Sequence, residues 1–213
     1  MTGMIIDLHI HTKRLSPCSE MEPEEAALEA KTIGLDGICF SEHNKSWDPH
    51  EITKIQDKYE IPIFNGIEVD TNEGHVLVFG LHENFQGITP IEDLRQMVDK
   101  AGGFMIAAHP FRGFLLFGLS KLKLDLDDAC KNPLFKFVDG MEVSSGRQTP
   151  KENDFSSQVC ERLGLMGVGG SDAHSTKDIG KCVTIFENRI EREEDLIREL
   201  RSGKFKVDYF RKT

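Results

Sequence analysis

The sequence carries histidines and acidic residues in short groups whose spacing suits metal binding. In the motif Asp7-Leu8-His9-Ile10-His11, residues two apart along an extended strand point the same way. Asp7, His9 and His11 are therefore expected to face inward together, and Leu8 and Ile10 to share the packing face. Two converging imidazoles are common ligands of a divalent metal ion. A strand that carries two histidines by chance is the alternative for this motif alone.

Other motifs repeat the same chemistry after apolar segments. Asp172 and His174 are two residues apart and follow a glycine pair, although an Asx-type loop would also explain the aspartate. His43 follows Glu42, which could orient a ligand or remain a solvated loop acid. Glu68 lies within an apolar segment, where a carboxylate is costly to bury unless it is paired or bound to a cation.

Two more histidines and two arginines extend this pattern. His75 adjoins an apolar segment, either at its end or at its start, and His109 precedes a proline that ends another. Arg112 and Arg147 follow such segments, and a guanidinium offers a fork of donors that matches phosphate; a surface arginine is the alternative for each. Glu142 lies at the end of a further apolar segment. It is expected to orient a metal ligand, to contact the substrate or to be a structural acid at the end of a strand. Imidazole and carboxylate ligands together suit zinc, manganese or iron. The candidate ligands are too many for one tetrahedral ion.

Short apolar segments alternate along the chain with amphipathic helical segments. The helix predicted over Pro23–Ile33 is typical: it has proline in its first turn, early acids and a glycine stop. This alternation predicts βα units and a mainly parallel sheet, either closed into a barrel or open and doubly wound. Active sites of such folds form at the C-terminal ends of the strands, where most of the histidines are predicted to lie. Neither common nucleotide-binding glycine motif follows the first strand.

The composition narrows the classes of partner. The chain has 213 residues and a formal net charge of −10, which disfavours a long nucleic acid or an anionic membrane surface. No apolar run approaches the length that a membrane span needs. The N-terminus lacks the basic region and the long apolar region of a secretory signal, so such a signal is not expected. The five cysteines form no paired motif, so a reducing cytoplasm is the expected compartment. The segment Phe111–Pro133 breaks the alternation and is expected to be either a lid over a pocket or a core-packing excursion.

The motifs resemble, in order and rough spacing, those of the PHP (polymerase and histidinol phosphatase) family, of the small stand-alone metal-dependent phosphoesterase type. The resemblance extends from Ile5 to about Arg201. It rests on five motifs: Asp7-Leu8-His9-Ile10-His11-Thr12, Ser41-Glu42-His43, Gly66-Ile67-Glu68, His109-Pro110 and Gly170-Ser171-Asp172-Ala173-His174.

The resemblance implies one domain over residues 1–213, an α/β fold of the distorted (β/α)7 barrel (TIM-like) type with mainly parallel strands, and two or three divalent ions (Mn, Zn or Fe) at the barrel rim. The implied ligand sets are His9, His11, Glu68 and Asp172 for the first ion, Glu68, His75 and His109 for the second, and His43 and His174 for the third. The last ligand of the third ion is an Asp or His in the family. The alignment places Cys18 there, which leaves three alternatives: Cys18 binds as a thiolate, neighbouring Glu20 substitutes for it, or the third site is weak.

The implied activity is hydrolysis of a small phosphorylated metabolite or nucleotide by a metal-bridging hydroxide. Glu68, His109 and Asp172 are the expected catalytic residues at the ions, and Arg112 and Arg147 are expected to meet the phosphate charge. Two alternatives remain. One is a nuclease or exonuclease of the PHP type, and the other is a non-catalytic metal-binding regulatory module.

Overall fold

A computed structural model describes residues 3–113 and 125–211, in which nine strands form a single sheet. The sheet order is β7-β6-β5-β4-β3-β2-β1-β8-β9. The strands are β1 (Met4–Ile10), β2 (Gly37–His43), β3 (Ile63–Thr71), β4 (Gly74–Phe79), β5 (Phe104–Ala107), β6 (Gly140–Ser145), β7 (Met166–Gly170), β8 (Val183–Phe186) and β9 (Phe205–Asp208).

Seven of these nine strands run in one direction, because only β4 and β8 pair antiparallel with both of their neighbours. The sheet curls until the end of β1 meets the end of β7, where Ile10 forms a parallel bridge with Ala173. Hydrogen bonds on both sides of this bridge, from His11 N to Ala173 O and from Ala173 N to His9 O, close the rim. The predicted α/β fold with mainly parallel strands is confirmed, as a nearly closed barrel.

The helices follow the local signals in the sequence. Proline stands at the first helical turn of α1, α2 and α5, where its missing N–H costs no hydrogen bond. Asp48 caps α2, and Gly34 and Gly102 end α1 and α3 in the left-handed conformation. The helices are α1 (Pro23–Ile33), α2 (Pro49–Tyr59), α3 (Ile91–Ala101), α4 (Leu126–Ala129), α5 (Pro150–Leu163) and α6 (Glu193–Ser202), with a 3-10 helix at Pro133–Lys136. In the described ranges, no helix has the length and apolarity that crossing a membrane requires.

The strict alternation predicted for β1 is wrong. The register between β1 and β2 shifts between Asp7 and Ile10, which interrupts the two-residue period. Leu8 packs with strand residues such as Phe64, whereas Ile10 packs in a different hydrophobic cluster with residues of α1 and α2. His9 and His11 nevertheless meet, because the irregularity lies in the segment that carries them.

The segment predicted as a lid or core excursion, Phe111–Pro133, is described only in part, since residues 114–124 lie outside the described ranges. Its described ends pack in the core. Phe111 and Ala129 are buried in one hydrophobic cluster with Leu134 and Phe135. The lid prediction therefore concerns residues whose structure is not described.

Candidate metal centre

One rim of the barrel collects the predicted site residues. His9 lies in β1, His43 ends β2, Glu68 lies in β3 and Glu142 in β6. His11, His109 and Asp172 lie just beyond the ends of β1, β5 and β7. His75 starts β4 rather than ending it. Because β4 is antiparallel, its start lies at the same rim as the ends of the parallel strands.

Glu68 is the centre of this arrangement. Its side chain is 1% exposed, and its two oxygens face different groups of histidines. Oε1 lies 2.9 Å from His75 Nδ1 and 2.8 Å from His109 Nε2. Oε2 lies 3.1 Å from His43 Nδ1 and 3.2 Å from His11 Nε2. A carboxylate placed this way can bridge cations on its two sides.

The first strand and the loop after β7 form the second part of the cluster. His9 Nε2 and His11 Nε2 are 2.9 Å apart, and both residues are fully buried. Asp172 Oδ1 lies 3.4 Å from His11 Nε2 and 3.7 Å from His9 Nε2. These three side chains offer ligand atoms within 4.8 Å of one another, as do His9, Glu68 and His109.

A third group lies toward the rim. His11, His43 and His174 present ring nitrogens within 4.8 Å of one another. Cys18 is exposed and belongs to none of the three groups found among the described residues. Partial burial raises the pKa of the Cys18 thiol, and the carboxylates of Glu42, Glu68 and Asp172 raise it further. Cys18 as a ligand therefore stays a prediction, as does Glu20, which is also exposed.

The histidines of the cluster keep the carboxyl groups of Glu68 and Asp172 in their anionic form. Burial alone would raise the pKa of Glu68, but the histidines around it, His9 first, hold that pKa well below its usual range. Burial would also raise the pKa of Asp172, and neighbouring histidines lower it instead. Burial lowers the pKa of His43 to about 4, and it lowers the pKa of His174 as well. Anionic Glu68 and Asp172 beside these imidazoles form a donor set for divalent cations once the rings are unprotonated. Nearby carboxylates raise the pKa of His9, His11 and His75, so these three rings would release protons when they bind an ion.

Glu142 holds two of the candidate ligands from behind. It is fully buried, and its Oε1 accepts a hydrogen bond from His9 Nδ1 at 2.9 Å. Its Oε2 accepts from the backbone N–H of His109 at 2.7 Å. With Nδ1 donating, the lone pair of His9 Nε2 points into the cluster, which is the tautomer that a metal ligand requires. Of the three roles predicted for Glu142, the contacts support orientation of a ligand.

Replacing Glu142 with glutamine is expected to weaken metal binding. Glutamine keeps one acceptor oxygen and replaces the other with an NH2 donor, so it cannot accept from both His9 and His109. A loss of roughly 10- to 100-fold in Mn²⁺ affinity is expected, as for other residues that orient metal ligands. Chelator-competition titration measures it. Glu161→Gln, on the exposed face of α5, is the matched control, and an affinity of E142Q equal to that of the control would contradict this role.

Several supporting residues escaped the sequence analysis. Ser16 Oγ accepts from the backbone N–H of His43 at 3.0 Å and lies 3.4 Å from His11 Nδ1. Asp7 does not join the cluster but accepts from the backbone N–H groups of Ser171 and Gly180, each at 2.9 Å. Burial raises the pKa of Asp7 to about 6. His11 and Ser16 lie in the same loop, five residues apart. The contact of Ser16 with His43 and the contacts of Asp7 join separate segments of the chain, so sequence spacing gave no signal for them.

Of the two alternatives for Glu42, a ligand-orienting residue or a solvated loop acid, the second is wrong, because Glu42 lies in β2 and is shielded from solvent. It is fully buried and accepts from the backbone N–H of Thr12 at 3.0 Å and from Trp47 Nε1 at 2.8 Å. Thr12 directly follows His11. Glu42 therefore holds the chain just after the first pair of candidate ligands, which supports the orienting role considered for it.

Two candidate ligands have unusual backbones. His109 has φ of 29° and Asp172 has φ of 51°, in the left-handed region that non-glycine residues rarely adopt. Such conformations cost on the order of 1–3 kcal/mol each and concentrate at functional sites. Both residues present their side chains to Glu68 or to the histidines around it. These two loop positions therefore combine an unfavourable backbone conformation with a place in the cluster.

The two predicted arginines lie at the mouth of the cluster. Arg112 Nη1 donates to Asp172 Oδ2, and its side chain is 36% exposed. Arg147 is exposed and follows Gly146, whose backbone N–H donates to Gly170 O at 3.2 Å at the end of β7, the strand that leads to Asp172 and His174. Both positions suit a group that meets an anion arriving from solvent.

The donor set fits divalent cations. Six imidazoles and two carboxylates converge, and imidazole and carboxylate are the ligands that zinc, manganese and iron share. The buried carboxylates would be costly without cationic partners. The ligand-ready tautomer of His9 fits the same reading.

The protein is of the barrel class with mainly parallel strands, and its rim carries a cluster of histidines and carboxylates able to bind metal ions. The particular family follows from comparison with known sequences. The family model described as PHP domain matches residues 7–124, and the one described as PHP-associated matches residues 150–205. The chain belongs to the PHP domain family.

One relative in sequence and two solved structures show what this chain is similar to. An uncharacterized protein of Methanocaldococcus jannaschii is 30% identical over 118 residues, covering 51% of this chain and 68% of that protein. A two-domain protein from Bacteroides vulgatus, which contains a predicted PHP-like metal-dependent phosphoesterase, has the same fold with a TM-score of 0.74 and 20% identity, covering 98% of this chain. The lesion-specific endonuclease Q of Pyrococcus furiosus has a TM-score of 0.66 and 19% identity over 97% of this chain. This chain spans 65% of the Bacteroides chain and 58% of the Pyrococcus chain.

Proposed function

We propose that this protein is a metal-dependent phosphoesterase that hydrolyses a small phosphorylated molecule. The observation that carries the proposal is Glu68, whose two oxygens face separate groups of histidines at 2.8–3.2 Å. A shared carboxylate is the arrangement that holds two cations close together. Divalent cations bound there would lower the pKa of a coordinated water and offset the charge on phosphate oxygens.

The residues of the chain divide the remaining tasks. In this proposal His9, His11, Glu68 and Asp172 hold the first ion. Glu68, His75 and His109 hold the second, and His43, His174 and Cys18 hold the third. Glu142 keeps His9 in its ligand tautomer, and Glu42 holds the chain after His11. Arg112 and Arg147 bind the phosphate at the mouth of the site.

A small substrate is favoured over a long nucleic acid. The chain carries a net charge of −10, which opposes extended contact with a phosphate backbone. The arginines at the mouth of the cluster provide positive charge only locally. The structural likeness to endonuclease Q, at 19% identity, indicates the shared fold and not a shared substrate.

The test is a screen of p-nitrophenyl phosphate and nucleotide monophosphates with added Mn²⁺, combined with elemental analysis of protein purified without chelators. Manganese-dependent turnover with at least two ions per chain is expected. Loss of one ion in Cys18→Ser would assign Cys18 to the third site. Faster degradation of single-stranded DNA than of mononucleotides would instead favour a nuclease. Bound metal with no hydrolysis across the panel would indicate a regulatory module.

Arg112→Ala is expected to lower kcat/KM by roughly 10- to 100-fold, since a hydrogen bond to a charged group contributes roughly 1.5–3 kcal/mol. The loss should fall mainly on KM if Arg112 binds the phosphate equally in the ground and transition states. Steady-state kinetics on the best substrate of the screen measures both constants. Arg189→Ala removes an arginine that is 83% exposed and pairs with Glu191, so it serves as the control. Wild-type kinetics in R112A would remove Arg112 from the phosphate site.

A further inference from the structure

The loop between β7 and β8 carries two candidate ligands, Asp172 and His174, and is held from below by a buried acid. Asp7 Oδ1 accepts from the backbone N–H of Ser171 at 2.9 Å, one residue before Asp172. Asp7 Oδ2 accepts from the N–H of Gly180 at 2.9 Å, near the other end of the loop. One carboxylate thus fixes both ends of the loop beneath the metal centre.

The same loop is gripped from outside by two residues that follow β9, Phe210 and Arg211, which we call the clasp. The backbone N–H of Arg211 donates to Gly180 O at 2.7 Å. Its Nη1 donates to Thr176 O at 2.6 Å, and its Nη2 pairs with Glu29 of α1. The clasp therefore ties the loop to a helix on the barrel wall.

Gly180 contacts both Asp7 and the clasp. Its N–H bonds to Asp7 and its carbonyl accepts from Arg211. It has φ of +76°, and a Cβ there would lie 3.0 Å from Ile33 Cδ1 and 3.4 Å from Phe210 Cδ1. A side chain at this position would therefore have to displace Ile33 or Phe210. Hydrogen bonds thus run without a gap from the clasp through Gly180 to Asp7.

The link continues to the first strand, because Asp7 Oδ1 also lies 3.2 Å from the backbone N of His9, which donates to it. We infer that the clasp is a positioning element of the metal centre: the Arg211 side chain, through Thr176 and Glu29, and its backbone N–H, through Gly180 and Asp7, set the placement of Asp172 and His174. This inference rests on the metal centre of the proposed function. The Glu68–His75–His109 group lies on β3, β4 and the end of β5, and none of the contacts of the clasp reaches it.

The experiment is a chelator-competition titration of the full chain with Mn²⁺ alone, without substrate. Arg211→Ala removes the bonds to Thr176 O and Glu29 but keeps the backbone bond to Gly180. It is expected to weaken Mn²⁺ binding on the order of tenfold, the lower end of the range for residues that orient ligands. Arg211→Lys should fall between, because an ammonium can reach Thr176 O or Glu29 but lacks the fork that joins both. Arg189→Ala is the matched control and should bind Mn²⁺ like the wild type.

Two backgrounds separate positioning from a general loss of structure. The Arg211→Ala effect should disappear in Asp172→Asn/His174→Ala, where both loop ligands are impaired, and persist in His75→Ala. Glu29→Gln should add nothing to Arg211→Ala, since Glu29 acts through Arg211. Unchanged Mn²⁺ affinity in R211A, or an equal loss in the Asp172→Asn/His174→Ala and His75→Ala backgrounds, would overturn the inference. The titration uses no substrate, so a chain that shows these effects but hydrolyses no phosphate ester would contradict the proposed function alone.

Discussion

Glu68→Gln is expected to abolish hydrolysis and to remove more than one metal ion from the protein. The substitution keeps the size of the side chain but replaces one anionic oxygen with an NH2 group that has no lone pair for a metal. Either the His75–His109 side or the His11–His43 side then faces a donor instead of an acceptor. Because both sides share one carboxylate, no rotamer of glutamine serves both.

The expected loss is at least about three orders of magnitude in kcat, which corresponds to roughly 4 kcal/mol of transition-state stabilisation. Elemental analysis and phosphatase kinetics on the same preparation measure the two effects together. Glu73→Gln is the matched control, since Glu73 lies at the β3–β4 turn and bonds to Asn72 rather than to the cluster. An E68Q protein that keeps its ions and more than a tenth of wild-type activity would show that Glu68 is not shared between cations.

The local part of the site follows from the sequence because parallel strands end at one rim. His43 and Glu68 are direct neighbours in the register of β2 and β3, as expected for polar residues near the ends of adjacent strands. His9 and His11 meet as predicted, although through an irregular strand rather than a regular one. The convergence of these residues could be predicted without knowledge of long-range contacts, because the topology of a βα barrel brings successive strand ends together.

The placement of His75 could also have been read from the sequence. Only two residues, Asn72 and Glu73, separate β3 from β4. Parallel strands require a crossover of about a dozen residues or more, so a two-residue connection indicates an antiparallel hairpin. An antiparallel β4 starts at the rim where β3 ends. The open choice between the start and the end of the strand is thereby settled by the length of the turn.

The supporting contacts could not be predicted, because they join residues that are distant in the chain. Glu142 and His9 are 133 residues apart, and Asp7 and Gly180 are 173 apart. Each of these contacts depends on how the curled sheet closes, and periodicity carries no information about closure. A buried acid in a strand signals that a partner exists. Which partner it has is decided only by the tertiary structure.

The closure of the barrel also predicts the second large effect, which concerns Gly170 at the end of β7. A Cβ at this position would lie 2.7 Å from His9 Cβ, 2.8 Å from Glu142 Oε1 and 3.2 Å from His9 N. The first and third of these atoms belong to His9 in β1 and cannot move without the strand. Gly170→Ala must therefore push β1 away from β7 at His9, which is a candidate ligand. It must also displace Glu142, the hydrogen-bond partner of His9.

We expect Gly170→Ala to lower stability by about 1–3 kcal/mol through overpacking, and to weaken Mn²⁺ binding in the same protein. For a chain of this size, each 1 kcal/mol corresponds to a decrease of roughly 2–4 °C in Tm. Calorimetry of the metal-free protein and chelator-competition titration measure the two effects. Gly37→Ala is the control, because a Cβ there meets a phenylalanine ring at 3.2 Å that can adjust. If G170A matched G37A in both Tm and Mn²⁺ affinity, the β1–β7 contact would not set the geometry of the centre; a Tm loss without weaker binding would restrict it to stability.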